Sequence, residues 1–209
     1  MSNEICPLLI LGSGTFAVEI ADVISEIPGF KVCGFVQSVD PRNREAMLEG
    51  LPVYWITEIA RLAGSHRAVC AVGSTQRSGF IGQAAALGIR FVTAVHPSAH
   101  ISCKSSLGEG TIISAGAVIG AHTKVGRHVI VNRGALIGHH TEIGDCVTVG
   151  PGANIAGSCR VGEATFVGIG AIISDHVEIG ANAFVGAGTV VTKDVAPNTM
   201  VAAARTAHS

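Results

Sequence analysis

The aliphatic residues of the chain keep a six-residue beat from Val95 to Val191, through Ile101, Leu107, Ile113, Ile119, Val125, Val131, Ile137, Ile143, Val149, Ile155, Val161, Val167, Ile173, Ile179 and Val185, with no slip or insertion. All but Leu107 are β-branched, the next residue is very often Gly, and the residue two before is usually Ala, Thr, Ser, Val or Cys. A period this short belongs to a β-solenoid and not to helical repeats of about thirty residues or more. Each repeat is one short strand plus a turn, its β-branched residue pointing inward and its small residue admitting the next wall closely. One such strand cannot bury its own face, so the repeats must stack.

Residues 7–94 have a different rhythm. PLLILG reads as a short buried strand, GSGTFA as a turn, Phe16 to Ile27 as a helix and KVCGFV as a second strand, together a βαβ unit with a Gly-rich first turn. LPVYWI, a short helix around Thr57 to Leu62, a strand AVCAVG, a helix around Gln76 to Leu87 and a strand FVTAVH follow. The pattern predicts a small parallel α/β domain, Rossmann-like, over residues 1–94 and the solenoid over 95–209. The turn Gly12-Ser13-Gly14-Thr15 can present backbone N–H groups and a helix N-terminus to a phosphate. The third glycine of the dinucleotide fingerprint is replaced by Ala17, and Gln37 and Ser38 stand where an acidic ribose partner would end the second strand. A tight βα turn with no ligand is the plain alternative.

Composition narrows the function. A formal net charge of -1, one Trp and one Tyr argue against nucleic acid, which selects basic surfaces and stacking platforms. The start, MSNEICPLLILG, has no basic segment, no cleavage pattern and an apolar run too short to span a bilayer, so the expected location is cytoplasmic, with no membrane partner. Cys6, Cys33, Cys70, Cys103, Cys146 and Cys159 form no CxxC pair, which fits reduced, mostly buried thiols.

The segments LILGSGTFA, GFVQSVDP, the loop after AVCAVG with Arg77, VHPSA, VNRGALIGHH, GPGANIAG and VGAGTVVTKDV resemble, over essentially the whole chain, the family of sialic-acid O-acetyltransferases and nucleotide-linked 4-amino-sugar N-acetyltransferases. The resemblance implies a left-handed parallel β-helix, three hexapeptides to a coil, so that residues eighteen apart stack in columns about 4.8 Å apart. It also implies an α/β domain that binds the sugar's nucleotide, acetyl-coenzyme A as co-substrate, a homotrimer with coenzyme A between subunits, and no metal. On its motifs, His139 is the general base, Gly157 N–H the oxyanion donor one coil above it, and Asn132 a positioning group. Ile169 and Ala187 line the pantetheine arm, and Lys193 meets phosphates. The nucleotide-linked sugar lies on Gly12, Ser13, Gly14, Thr15, Gln37 and Ser38.

The chain departs from the family at several of these places. His140 replaces the acidic residue that follows the base, and a histidine accepts its neighbour's hydrogen bond only when neutral and in the right tautomer. Thr148 replaces a second histidine, Phe16 a third, and Gln37 and Ser38 replace acids. His122, His140 and His176 fall in one column, inviting comparison with the zinc-binding carbonic-anhydrase branch of this fold. Its third ligand has no counterpart at Ala181 or Asp145, and corner histidines are the default. The expected activity is acetyl transfer from acetyl-coenzyme A to the amine of a nucleotide-linked 4-amino-4,6-dideoxy sugar, in bacterial surface-glycan biosynthesis. O-acetylation of a sialic acid or similar sugar stays open, as does a non-catalytic trimeric binding protein.

Overall fold

The computed structural model describes residues 5–39 and 47–202. Asp40 and Pro41 of the GFVQSVDP motif, and Arg205 in the tail, lie outside the described residues.

The amino-terminal unit runs β1 (Cys6–Leu11), α1 (Thr15–Ser25), β2 (Phe30–Gln37), β3 (Met47–Leu48), β4 (Leu51–Trp55), β5 (Arg67–Cys70), α2 (Ser78–Ala86) and β6 (Arg90–Phe91). Its sheet has the order β3-β4-β2-β1-β5-β6. Every pairing is parallel except β3–β4, which corrects the all-parallel expectation. The link between those two strands is only Glu49-Gly50, both at positive φ, and a two-residue turn of that kind joins antiparallel strands. Helix α1 stops at Ser25, short of Ile27, because Pro28 disfavours helical backbone before it. The helices expected near 57–62 and 76–87 contain 3-10 segments, Ile56–Leu62 and Thr75–Arg77, the second leading into α2.

FVTAVH is not one strand. Arg90–Phe91 extends the first sheet, and Ala94–Val95 opens the solenoid. The chain changes partner between them: Val92 N–H donates to Ala68 in the first sheet at 3.1 Å, and Ala94 N–H to Thr111 in the solenoid at 2.9 Å.

From Ala94–Val95 to Met200–Val201 the described residues form two-residue strands stacked in three parallel sheets of seven, six and five strands. These are called here faces one, two and three. Pairings such as Val131↔Val149, Ile137↔Ile155 and Ile143↔Val161 join residues eighteen apart, one from each face. The beat residues from Ile113 onward are buried in one continuous core. The last coil departs from the beat: Val195 bridges Ile179 and Val201 pairs with Val185, sixteen residues on. At the sixth residue after Val191 stands Pro197, which has no N–H to give to the ladder.

From Gly110 to Gly188 each corner turns through one left-handed residue. Between faces one and two this is glycine, as at Gly134 and Gly152. Between faces two and three it is His122, His140, Ser158 and His176, at φ 56–61°. The histidine column is therefore set by backbone conformation, since histidine is among the residues enriched at positive φ.

The α/β unit lies along the side of the first coils. Leu8, Ile20 and Ile24 pack against Ala94, Ile112 and Ile130, the outward residues of face one. Glu19 pairs with Arg133, and Glu26 with His96 at 3.0 Å. Arg77, 1% exposed, crosses the junction. It donates to the carbonyls of His128 (2.7 and 3.1 Å), Val147 (2.9 Å) and Ser74 (3.1 Å) and to the Thr148 hydroxyl (2.8 Å).

Candidate active site

At the carboxyl ends of β1, β2 and β5 lies a cavity of about 550 Å³ lined by all six residues expected to hold the sugar nucleotide, Gly12, Ser13, Gly14, Thr15, Gln37 and Ser38, beside Phe16, Phe80 and Arg77. Strand β1 sits between β2 and β5, so the chain leaves it in opposite directions there and the loops part. Gly12 adopts φ +129°, and a Cβ on it would meet the Ala71 carbonyl at 3.0 Å. Ala17 fills the place of the missing third glycine and is buried against that turn. Ser13 Oγ donates to Gln37 Oε1 at 3.1 Å, while Gln37 Nε2 is buried with no partner among the described residues.

His139 and Gly157 meet at the corner between faces two and three. A Cβ on Gly157 would fall 2.6 Å from Cε1 and 2.8 Å from Nε2 of His139, so only glycine lets the ring lie there. His139 is exposed, and its Nδ1 lies 3.1 Å from Nδ1 of His140. Among the described residues no hydrogen bond uses the Gly157 N–H. At the next corner the equivalent N–H, that of Arg127, is taken at 2.7 Å by Asp145 Oδ1. A corner amide of this solenoid thus binds an anionic oxygen when one is offered.

The other expected residues divide between two corners. Lys193 is exposed and continues the column of His139, Gly157 and Asp175, three coils or about 14 Å beyond His139. Asn132, Ile169 and Ala187 lie at the corner between faces one and two. Asn132 is buried, its Nδ2 donating to Val149 O at 2.9 Å. Ile169 and Ala187 are exposed and stacked. A Cβ on Gly168 would come within 2.7 Å of Ala187 N. A single chain does not bring these three to His139, because one side of the triangle, at most about 20 Å of chain, stands between.

Three features escaped the sequence reading. Thr148 lies on face one, where its hydroxyl accepts from Arg77. Phe166 and Phe184 stack in parallel at 5.0 Å above it. Face two carries an exposed apolar column, Val118, Leu136, Ile172 and Val190, interrupted only by Asn154. Its signal was present one residue before each beat position. Among the described residues no cluster of His, Cys, Asp or Glu is arranged to hold a metal ion, and no helix is long and apolar enough to cross a membrane.

Comparison with protein-family models matches residues 158–193 to the bacterial transferase hexapeptide (six repeats). A comparison with curated proteins found no match. Among solved structures, a histidine-to-asparagine mutant of perosamine N-acetyltransferase from Caulobacter crescentus, in complex with CoA and GDP-perosamine, is 31% identical, with a TM-score of 0.86 over 94% of this chain and 93% of that one. The acetyltransferase domain of PglB from Neisseria gonorrhoeae, in complex with acetyl coenzyme A, is 27% identical, with a TM-score of 0.86 over 95% and 97%. WeeI from Acinetobacter baumannii, 22% identical, shares the fold, with a TM-score of 0.78 over 95% and 97%. On the fold, the motifs and these relatives, the chain belongs to the nucleotide-linked amino-sugar N-acetyltransferase family of hexapeptide-repeat proteins and is a coenzyme A-dependent acetyltransferase.

Proposed function

We propose that the protein transfers acetyl from acetyl-coenzyme A to the amine of a nucleotide-linked 4-amino-4,6-dideoxy sugar in bacterial surface-glycan biosynthesis, in the cytoplasm. The observation that carries the proposal is the His139 ring lying on Gly157, beside an N–H that no described residue uses. The acceptor nitrogen attacks the thioester carbonyl directly. His139 takes the proton that this nitrogen sheds, the Gly157 N–H stabilises the oxyanion, and the proton follows the departing coenzyme A thiolate. No acyl-enzyme forms. Residues 1–94, read as a Rossmann-like domain, hold the nucleotide in the cavity of Gly12 to Thr15, Gln37 and Ser38, and the solenoid winds left-handed.

The assembly in this proposal is a homotrimer packed through face two. Its apolar column is flanked by His139 at one corner and by Asn132, Ile169 and Ala187 at the other, and Val190 is 59% exposed. Packing neighbouring copies along that face sets the base of one subunit beside the pantetheine-lining corner of the next, with Lys193 toward the coenzyme A phosphates. The test is free-thiol release from acetyl-coenzyme A with nucleotide-linked 4-amino sugars, their hydroxy counterparts and free sialic acid, run beside His139→Ala. Release with an amino sugar, lost in the folded variant, is the expected result. Release only with hydroxy acceptors would move the activity to O-acetylation, and a folded His139→Ala protein with near wild-type transfer would remove the base.

A further inference from the structure

We infer that Asn154 sets the register of the subunit contact: covered by neighbouring copies, its amide is paired only when those copies pack at the same height. The inference rests on the homotrimer packed through face two proposed above. Asn154 points outward on that face, registered with Leu136 one coil below and Ile172 one coil above. Those two residues are 40% and 47% exposed, and Val118 and Val190 continue the apolar column. Nothing within the chain calls for an amide between them. Asparagine is depleted in strands, Ala153 and Ile155 on either side are fully buried, and among the described residues no hydrogen bond uses the Asn154 side chain. A single chain leaves that side chain in water, and packing copies on the column removes it from water.

A repeat makes such a contact ambiguous. The face recurs with every coil, about 4.8 Å, so a neighbour shifted by one coil would still lay aliphatic residues against aliphatic residues. In a closed three-fold ring all copies stand at one height and bring their Asn154 amides level. Each amide carries both a donor and an acceptor, so each can donate to the next around the ring with none left over. A neighbour one coil out of step sets Asn154 against Leu136 or Ile172 and strands an amide from each copy in an apolar contact. That disfavours the slipped contact roughly tenfold or more per amide. The shift also repeats from copy to copy, so the assembly opens into a screw and does not close. His100, which begins the column, is exposed at the first coil. It and the charged residues of the rim keep their water in either arrangement and discriminate little. A slipped contact also carries His139 of one copy about 4.8 Å from its place beside the next, so register is a condition of activity.

The test is analytical ultracentrifugation with thiol-release kinetics on wild type, Asn154→Leu, Asn154→Ser, Leu136→Arg and the double variant Asn154→Leu with Leu136→Asn, each first shown to be folded by circular dichroism. Asn154→Leu is expected to form a mixture of the closed assembly and larger, open species. Its bulk kcat should fall roughly threefold or more, while the isolated closed fraction stays within about twofold of wild type. Asn154→Ser keeps a polar mark at the same height and is expected to give a single species. The double variant moves the mark down one coil and is expected to restore a single closed species, which a role of Asn154 in touching substrate would not produce. An Asn154→Leu protein that is uniformly of wild-type size, whatever its kcat, would overturn the inference. So would a monomeric Asn154→Leu protein, an Asn154→Ser protein that disperses in the same way, or a double variant that stays mixed. A monomeric wild type, or Leu136→Arg with its assembly intact, would instead overturn the packing through face two, so the two failures are separable.

Discussion

The imidazole of His139 occupies the space that a side chain on Gly157 would need, its Cε1, Nε2 and Nδ1 lying 2.6, 2.8 and 3.0 Å from the position of that absent Cβ. The two residues are eighteen apart, so one full coil of the solenoid brings a ring and a bare α-carbon into register. Gly157→Ala is therefore expected to displace the ring and misplace the amide beside it while leaving the core of the coil intact. We expect kcat to fall roughly a hundredfold, with the circular-dichroism spectrum unchanged and the assembly retained in light scattering.

Arg77 ties the α/β unit to the third and fourth strands of face one through four hydrogen bonds to His128, Val147 and Thr148, and donates a fifth to Ser74 in its own unit. Among the described residues no carboxylate pairs with it, so carbonyl and hydroxyl dipoles meet its charge. Arg77→Met keeps much of the volume and orphans several buried acceptors. It is expected to cost about 3 kcal/mol, measured by chemical denaturation, and to weaken nucleotide-sugar binding, because Arg77 also lines the cavity of Gly12 and Gln37.

The apolar column of face two is expected to be covered by neighbouring copies. Leu136→Arg or Ile172→Arg should place an unpaired charge in that contact and yield monomers in light scattering. Catalysis should fall roughly a hundredfold, since the two corners that contribute to the groove would part. A monomeric variant with full activity would refute the shared groove.

Asp145 predicts an acid-side change in stability. Burial raises the pKa of its carboxyl, but hydrogen bonds from the Arg127 amide and guanidinium outweigh burial and hold the value below normal. A depressed folded pKa contributes stability above the unfolded value near 3.8, and that contribution is lost as pH falls through the folded value. Asp145→Asn should lower stability at neutral pH and flatten the loss on acidification, read from denaturation midpoints across a pH series. The ion pair is exposed enough that the effect should be small and sensitive to salt.

Much of the site was legible in the sequence because a solenoid turns spacing into distance. Eighteen residues separate His139 from Gly157 and Ile169 from Ala187, and both pairs stack in the structure. The cavity loops at Gly12 to Thr15 and Gln37 to Ser38 were legible for a local reason: glycines after a buried strand mark a βα turn. The spacing of His122, His140 and His176 invited a comparison with a zinc site that the missing third ligand set aside, and the structure gives these residues a shared left-handed corner. Thr148 was read against a family pattern as the place of a second histidine, and in the structure its hydroxyl receives Arg77.

By itself, the sequence determined the six-residue solenoid, its inward residues, the α/β unit before it and the glycines that permit close approach, because each follows from the period of neighbouring residues along the chain; the three sides of the coil were implied by the family resemblance. Only the tertiary structure decided which face the α/β unit covers, how FVTAVH divides between two sheets, and where the last coil loses two residues. Those outcomes depend on contacts between residues far apart in the chain, such as Arg77 with Thr148 and Glu19 with Arg133. No local pattern encodes which distant hydrogen-bond donor will find which acceptor.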